Sequence, residues 1–402
     1  MNERAFLRSG WRGILLAALL PFCATGLAAC SAQGEALFPS FIAPGPYDEL
    51  SDRAWARVIE ARNHWDAGEM RLARADLRFI ADEFPRNLNV GVLLQELELD
   101  LLRFGIALPD LGLTSDDVRS KPDEGPAMLR RYYREQAETG PTPESLVLAA
   151  RLESDLPAAE SLLKRAIELD EKCAWAHYGA AHVAYRNGKF LKAKEHLERQ
   201  ASLDPRLLPA RRLRARVLMT TASAEAAAPA LDRWLKDASQ SPFVSLFELA
   251  MGQFDLALLL VQTEEYDRVE ELCAVLLRDG FVDSTSVYLV LAATRVADDR
   301  AAEALDAARR ASRTSPTSTL AHVQRALILE EWMAEPDKAF DAWSKALEAA
   351  EGGTSDDTDV GGRPQPETVR DAQFWLFART RLARLQAARE AAELSNENAG
   401  NR

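Results

Sequence analysis

Four side chains of types that often bind metals lie close together in the sequence. They are Cys173, His177, His182 and His196. Thiolate and imidazole groups are common zinc ligands, and Cys173 and His177 share a helical face because they are four residues apart. His182 is rotated from His177 by about 140°, since each helical residue adds about 100°. The spacing therefore favours packed or solvated histidines, and we predict no metal site.

Motifs of known catalytic centres are missing from the sequence. It contains no Gly-x-Ser-x-Gly nucleophile elbow, no Walker loop, no dinucleotide-binding glycine pattern and no His-Glu-x-x-His zinc helix. We therefore predict that the protein is not an enzyme and that it uses no cofactor.

The composition narrows the class of partner. Of the 402 residues, 47% are hydrophobic, which is ample for a packed core, and the formal net charge is −13. Binding to nucleic acid needs a basic face that neutralises phosphates, so no nucleic-acid partner is expected.

With 4 Cys in the whole chain, disulfide bonds are not the main source of stability. Modest numbers of glycine and proline, 20 and 19, favour helices over a parallel sheet.

The pattern of the first thirty residues indicates a targeting segment. Arg4, Arg8 and Arg12 precede an apolar run at residues 13–20, which Pro21 interrupts. A membrane-spanning helix needs about 20 predominantly apolar residues, so this run is too short to be a stable span. A basic region followed by a short apolar region is typical of a secretory signal peptide.

Residues 27–30, Leu-Ala-Ala-Cys, resemble the lipobox of bacterial lipoproteins. The resemblance implies that residues 1–29 are a signal peptide and that Cys30 becomes the first residue of the mature chain, carrying fatty acyl groups such as palmitate. Two or three such chains hold a soluble domain at a bilayer. Ser31, in place of Asp, implies the periplasmic face of the outer membrane. A plain secretory signal with an incidental cysteine is the alternative.

Residues 30–50 follow as a tether. They contain Pro39, Pro44 and Pro46 and have no helical period. The reach of such a segment is roughly 25 Å, which would lift a folded body away from the lipid headgroups.

A 34-residue period organises the chain from residue 51 to residue 351. Ala159 aligns with Ala193, and Leu163 with Leu197, at that spacing. Small residues at recurring positions let two antiparallel helices approach closely, and bulky residues fill the groove between them. Since one such pair cannot bury its apolar face alone, neighbouring pairs must stack.

These residues resemble tetratricopeptide repeats (TPRs), which are helix-turn-helix units of this length. In the clearest unit, Ala181 and Ala193 are the crossing residues and Pro205 follows the second helix. Units of this pattern are found at residues 54–87, 174–207, 250–283, 285–318 and 319–352. The resemblance implies an all-α fold, a right-handed superhelical solenoid of helix-turn-helix repeats.

Three stretches depart from the pattern. Residues 140–173 keep the second helix but carry Pro141 and Pro143 where the first helix should begin, and residues 208–249 contain Pro229 inside the second helix. Residues 88–139 are predicted to be a divided unit, with two amphipathic helices separated by an insertion at about 104–126 that is rich in Pro and Asp.

The C-terminal region is predicted to close the array. Residues 352–366 form an acidic linker rich in glycine and proline, and residues 367–394 recover a helical period that suits a capping helix. The final segment, 395–402, is predicted to be a tail.

In the TPR family, first helices line a concave groove that binds partners. The resemblance places in this groove Trp55, Arg62, Trp65, Trp175, Tyr178, His182, Tyr185 and Arg186, and next along the array Arg212 and Arg216. Aromatic residues beside arginine are typical of interface hot spots. Alternatively, Trp175 and Tyr178 pack between repeats and the arginines form a solvated face.

These features together predict a membrane-anchored scaffold. Its groove would bind peptide segments of cell-envelope proteins and so assemble or regulate a multiprotein complex. The alternative is a module that binds peptidoglycan or another glycan for cell-wall enzymes, with Trp55, Trp65, Trp175 and Tyr178 as stacking platforms. The oligomeric state does not follow from the sequence.

Overall fold

The structure, a computed structural model, describes residues 50–112, 114, 124–280, 282–352, 354–358, 364–366 and 369–400. The predicted signal peptide, Cys30 and nearly all of the tether lie outside these residues, as do residues 113 and 115–123 of the insertion predicted at about 104–126. The predicted all-α fold class is confirmed, because helices account for most of the described chain.

The described residues contain seventeen α-helices. These are α1 (Asp52–Asp66), α2 (Met70–Glu83), α3 (Leu88–Arg103), α4 (Glu124–Thr139), α5 (Pro143–Leu152), α6 (Leu156–Leu169), α7 (Ala174–Arg186), α8 (Phe190–Leu203), α9 (Leu208–Thr221), α10 (Ala224–Ala238), α11 (Leu246–Gln262), α12 (Tyr266–Asp279), α13 (Ser284–Ala297), α14 (Ala301–Thr314), α15 (Thr319–Leu327), α16 (Pro336–Gly352) and α17 (Val369–Gly400). A 3₁₀ turn covers Pro109–Leu111, and a π-helical turn covers Ile328–Trp332. None of the described helices combines the length and apolar content needed to cross a bilayer.

The described chain forms two compact units that divide between Gly252 and Gln253, within α11. The N-terminal unit contains α1 to α10 and the start of α11, paired as the hairpins α1/α2, α5/α6, α7/α8 and α9/α10, with α3 and α4 as the divided pair. The C-terminal unit contains the rest of α11, α12, the hairpins α13/α14 and α15/α16, and α17. In both units, the repeats predicted from the sequence therefore coincide with pairs of helices in the structure.

Small residues at the helix crossings are completely buried. Ala181 and Ala193 have no exposed surface in the α7/α8 hairpin, and neither do Ala61 and Ala73 in α1/α2. Because an alanine side chain ends at Cβ, the two helices can approach each other closely and make dispersion contacts there. The repeated alanines thus set how closely each pair of helices packs.

A residue with left-handed backbone closes several of the tight turns inside the hairpins. Glycine is suited to this conformation, and Gly68 (φ 81°) and Gly188 (φ 70°) occupy it in the N-terminal unit. In the C-terminal unit, Glu264, Asp299 and Ala334 adopt it at the corresponding turns, with φ between 55° and 62°. The turn geometry is therefore kept even where the glycine is lost.

A buried carboxylate ties the divided unit together. Glu98 of α3 is completely buried and accepts hydrogen bonds from Arg74 of α2 (2.8 Å) and from the Tyr133 hydroxyl of α4 (2.9 Å). Burial raises the pKa of Glu98, which the contact with Arg74 opposes. Arg74 also pairs with Asp110 at 2.6 Å, so the described start of the insertion is fixed to α2.

Helix α10 continues through Pro229, whose position made this unit irregular in the sequence. Proline removes one backbone hydrogen bond from a helix interior. Tertiary packing compensates, because Ala227, Leu231 and Trp234 on the same helix are fully buried.

The C-terminal helix packs against α16 and is joined to the π-helical turn by a buried cation. Arg381 of α17, 6% exposed, contacts both Glu330 and Glu331 at 2.9 Å. The Trp343 ring of α16 meets Phe377 edge-on at 5.4 Å. This helix ends at Gly400, so it extends into the predicted tail. Two short antiparallel strands, Thr354–Thr358 and Pro364–Pro366, lie in the predicted linker.

The start of α11 provides a test of the packing in the N-terminal unit. At Gly252 a Cβ atom would overlap severely with the Trp234 ring, whereas at Gly91 it would meet only the flexible end of Leu148 at 3.3 Å. We expect Gly252→Ala to lower the free energy of unfolding by about 1–3 kcal/mol, the usual effect of overpacking. Gly91→Ala is the matched control and should be nearly neutral. Urea unfolding followed by circular dichroism measures both, and equal effects would contradict the packing described.

Candidate functional site

The predicted partner-binding residues lie on one set of helices of the N-terminal unit. Helix α1 carries Trp55, Arg62 and Trp65, helix α7 carries Trp175, Tyr178, His182, Tyr185 and Arg186, and helix α9 carries Arg212 and Arg216. We call the surface formed by these residues the first-helix surface, because α1, α7 and α9 are each the first helix of a hairpin.

Three aromatic rings of this surface are buried, which corrects the expectation that they line an open groove. Trp175, Tyr178 and Tyr185 are 5%, 1% and 8% exposed. Trp175 donates its indole N–H to Asn89 of α3 (3.0 Å) and meets the Tyr178 ring edge-on at 5.7 Å. Trp175 and Tyr178 therefore pack between hairpins, as the alternative interpretation of the sequence predicted, and Tyr185 is buried as well.

Residues 241–248 cover part of the first-helix surface, and we call them the covering segment. They include the end of the connection between α10 and α11 and the first residues of α11. Phe243 is 5% exposed and belongs to the same buried apolar cluster as Trp175 and Tyr178. Its ring lies 5.7 Å from the ring of Trp55, at the opposite end of the unit in sequence.

The covering segment also neutralises a predicted groove cation. Glu248 pairs with Arg212, with 2.5 Å between its Oε2 and the arginine Nη1. Arg212 is 8% exposed and its guanidinium lies over the Trp234 ring at 5.4 Å. The expectation that Arg212 is open to a partner, or else solvated, is therefore wrong for this structure.

His182 lies among cations and is held neutral. Burial, together with the positive charges of Arg186 and Arg216, lowers its pKa to about 3. The ring lies 6.4 Å from that of Tyr178. Burial also raises the pKa of Tyr178, and nearby Glu248 adds to the rise.

The remaining predicted residues keep some exposure. Arg186 is exposed, and Arg216 is half-buried with its guanidinium 5.4 Å from the Tyr185 ring centre. Half-buried Arg62 pairs with Asp66 at 2.9 Å and lies over the Trp65 ring at 5.0 Å. Trp55 and Trp65 are also half-buried. The accessible part of the surface is therefore rich in arginine and tryptophan.

The histidines and the cysteine that the sequence placed together are not gathered around one point. His177 Nδ1 lies 3.4 Å from His196 Nδ1, whereas His182 contacts Tyr178. Within the described residues, no group of three or more His, Cys, Asp and Glu side chains is placed to hold a metal ion. Cys173 is a buried free thiol, and burial raises its pKa to about 11.

A cleft of about 740 Å³ lies at one edge of the N-terminal unit. Its lining comes from residues 86–89, 141–144, 169–170, 172–175, 203–204 and 206, where the turns between hairpins meet the starts of α3, α5 and α7. Sequence reasoning identified neither this cleft nor the covering segment. The apolar pair Phe243-Val244 inside a connection between helices was the available signal for the segment.

Comparison with known proteins gives structural likeness alone. No family model matches the chain, and no curated protein matches it in sequence. Among solved structures, it is similar to YrrB, described as a TPR protein with an unusual peptide-binding site, with 19% identity over 48% of this chain and 96% of YrrB and a TM-score of 0.40. It is also similar to yeast Tom70, with 13% identity over 98% of this chain and 75% of Tom70 and a TM-score of 0.41. A tetratricopeptide repeat protein from Parabacteroides merdae has 14% identity, covering 82% of this chain and 99% of that protein, with a TM-score of 0.40.

The depressed pKa of His182 predicts a pH dependence of stability. Because the folded chain holds the imidazole neutral down to a pKa of about 3, its contribution is present above the ordinary pKa near 6.5 and is lost as the pH falls below that value. Between pH 7.5 and pH 5.0 the native chain should lose about 1–2 kcal/mol more unfolding free energy than the variant His182→Gln. Urea unfolding of both proteins at the two pH values measures the difference. Parallel losses would show that His182 is not buried among cations.

Proposed function

We propose that this protein is a scaffold that binds polypeptide segments of cell-envelope proteins and so assembles or regulates a multiprotein complex. The observation that carries the proposal is the first-helix surface, where arginine and tryptophan from three separate helices lie around an apolar cluster. Side chains of these two types dominate the binding energy of protein interfaces.

The local charge of the surface supports a polypeptide partner with acidic character. Arg186 on α7 and Arg216 on α9 keep some exposure, although the whole chain has a net charge of −13. A positive patch on an acidic protein speeds association with acidic segments and excludes others. The arginine forks also suit carboxylates, which they bind through two parallel hydrogen bonds.

The rigidity of the hairpins supports a role in positioning partners. The crossing alanines and their neighbours are fully buried along the N-terminal unit, so the first helices form a preformed frame. A preformed surface loses little conformational entropy on binding.

The proposed location is the periplasmic face of the outer membrane. Its support is the sequence alone: the basic and apolar signal, the lipobox-like Leu-Ala-Ala-Cys that ends at Cys30, and Ser31 after it. The lipid chains on Cys30 would hold the scaffold at the bilayer, and residues 31–50 would give it reach.

A glycan-binding function is the second candidate, and burial weighs against it. Two of its four stacking platforms, Trp175 and Tyr178, are 5% and 1% exposed, so a sugar ring cannot reach them in this arrangement. Trp55 and Trp65 are half-buried and keep part of their rings accessible. Co-sedimentation of the purified protein with peptidoglycan, without other proteins, distinguishes the two functions.

Site-specific photocrosslinking in cells tests the scaffold function. A photoreactive residue in place of Arg186 should capture envelope proteins, and the additional change Arg216→Glu should reduce the yield at least about tenfold by reversing a charge of the patch. Lys164 on α6 is the control position, since its side chain is exposed and lies on a second helix. Mass spectrometry identifies the captured proteins. The same proteins in the same yield at both positions would contradict the proposed surface.

A second experiment tests the membrane anchor. The variant Cys30→Ala should lose incorporation of labelled palmitate and move from the membrane fraction to the soluble fraction of the envelope, because the thiol that accepts the lipid is gone. Cys273→Ala is the control, since this thiol is buried and burial raises its pKa to about 12. A Cys30→Ala protein that stays in the membrane fraction with its label would rule the anchor out.

A further inference from the structure

We propose that the covering segment, residues 241–248, is an internal occupant of the partner site and that partners replace it. The partner chemistry follows from the occupant: an aromatic side chain followed about five residues later by a carboxylate, on one polypeptide segment. This inference rests on the proposed function and deepens it.

The first observation is where the segment binds. Phe243 contacts Trp55 of α1 at 5.7 Å, and Glu248 pairs with Arg212 of α9 at 2.5 Å. Both contacted residues belong to the ten that the sequence assigned to partner binding. The segment therefore contacts the predicted site at two of its three helices. The charge of Glu248 also raises the pKa of Tyr178 on the third helix.

The second observation is the length of the connection that carries the segment. Residues 239–245 separate α10 from α11, whereas residues 84–87, 170–173 and 204–207 suffice between other hairpins of the unit. A longer connection, with the first turn of α11 unwound to release Glu248, can leave the site without unfolding the α7/α8 and α9/α10 hairpins. It can thus exchange with a competitor while the frame stays intact.

The third observation is the division of apolar residues within the segment. Phe243 and Val244 are 5% and 7% exposed, whereas Leu246 and Phe247, which follow directly, are 64% and 47% exposed. Large apolar side chains in water at the edge of a site are typical of interaction surfaces. The segment thus carries buried side chains that anchor it and, directly after them, apolar side chains that are exposed.

Physical chemistry fixes what the replacing segment must supply. Loss of Phe243 alone would open an apolar void beside Trp55, and loss of Glu248 alone would remove the carboxylate that pairs with the 8%-exposed Arg212. A competitor avoids both penalties when it brings an aromatic ring and a carboxylate to the same two places. Since only chains with the segment displaced can bind, occupancy by the segment lowers the apparent affinity for a partner.

The test uses the full chain and a labelled synthetic peptide with the sequence of residues 239–250, Ser-Gln-Ser-Pro-Phe-Val-Ser-Leu-Phe-Glu-Leu-Ala. The double variant Phe243→Ala/Glu248→Gln should bind this peptide at least about tenfold more tightly than the native chain, because its own segment no longer competes. The matched control, Gln240→Ala, changes an exposed side chain of the same connection outside the covering segment and should bind like the native chain. Fluorescence anisotropy measures the affinities.

Two further measurements make the outcome decisive. Adding Arg212→Gln to the double variant should abolish the gain, and a peptide with Phe243→Ala should not bind. The single variant Glu248→Gln keeps the Phe243 contact and should show an intermediate gain, so a folding defect of the double variant does not remove the test. Equal binding by all variants, or a gain that survives Arg212→Gln, overturns the inference. Capture of envelope proteins at position 186 in cells would leave the scaffold function standing in that case.

Discussion

The close approach of paired helices at buried alanines is the constraint on which the rest of the structure depends. Ala61 and Ala73, Ala181 and Ala193, and in the C-terminal unit Ala292 and Ala304, have no exposed surface. Larger side chains there would push the helices apart and open voids along the stack. Because each hairpin buries its apolar face only against its neighbours, this spacing also fixes where every first helix lies within its unit.

The frame built in this way presents a charged surface that the chain itself partly neutralises. Arg212 is stacked on Trp234 and paired with Glu248, and His182 is kept uncharged between Arg186 and Arg216. A buried guanidinium is costly without a carboxylate, and Glu248 supplies one to Arg212.

The sequence predicts the repeats well because they depend on local patterns. Spacing of alanine and leucine predicted the α7/α8 hairpin, and amphipathic periods predicted α3 and α4 on either side of the insertion. Pro229 is accommodated within α10 because its helix is anchored by Trp234 and other fully buried residues, which no local rule reveals.

The site was predicted less well because it depends on contacts between distant residues. The resemblance to the TPR family gave the positions of Trp175, Tyr178 and Tyr185 on first helices, but their burial depends on neighbouring hairpins and on the covering segment. The positions of Trp55 and Phe243 in the sequence do not predict that their rings meet. The length of α17, which continues to Gly400, likewise exceeds what its apolar period indicated.

The most direct measurement of the central claim is a double-mutant cycle between Trp55 and Phe243, read as free energy of unfolding. If the covering segment occupies the first-helix surface, Trp55→Ala and Phe243→Ala should be coupled by about 0.5–1.5 kcal/mol, as expected for two aromatic rings in contact. Strictly additive effects of the two substitutions would show that the rings do not meet and would contradict the account.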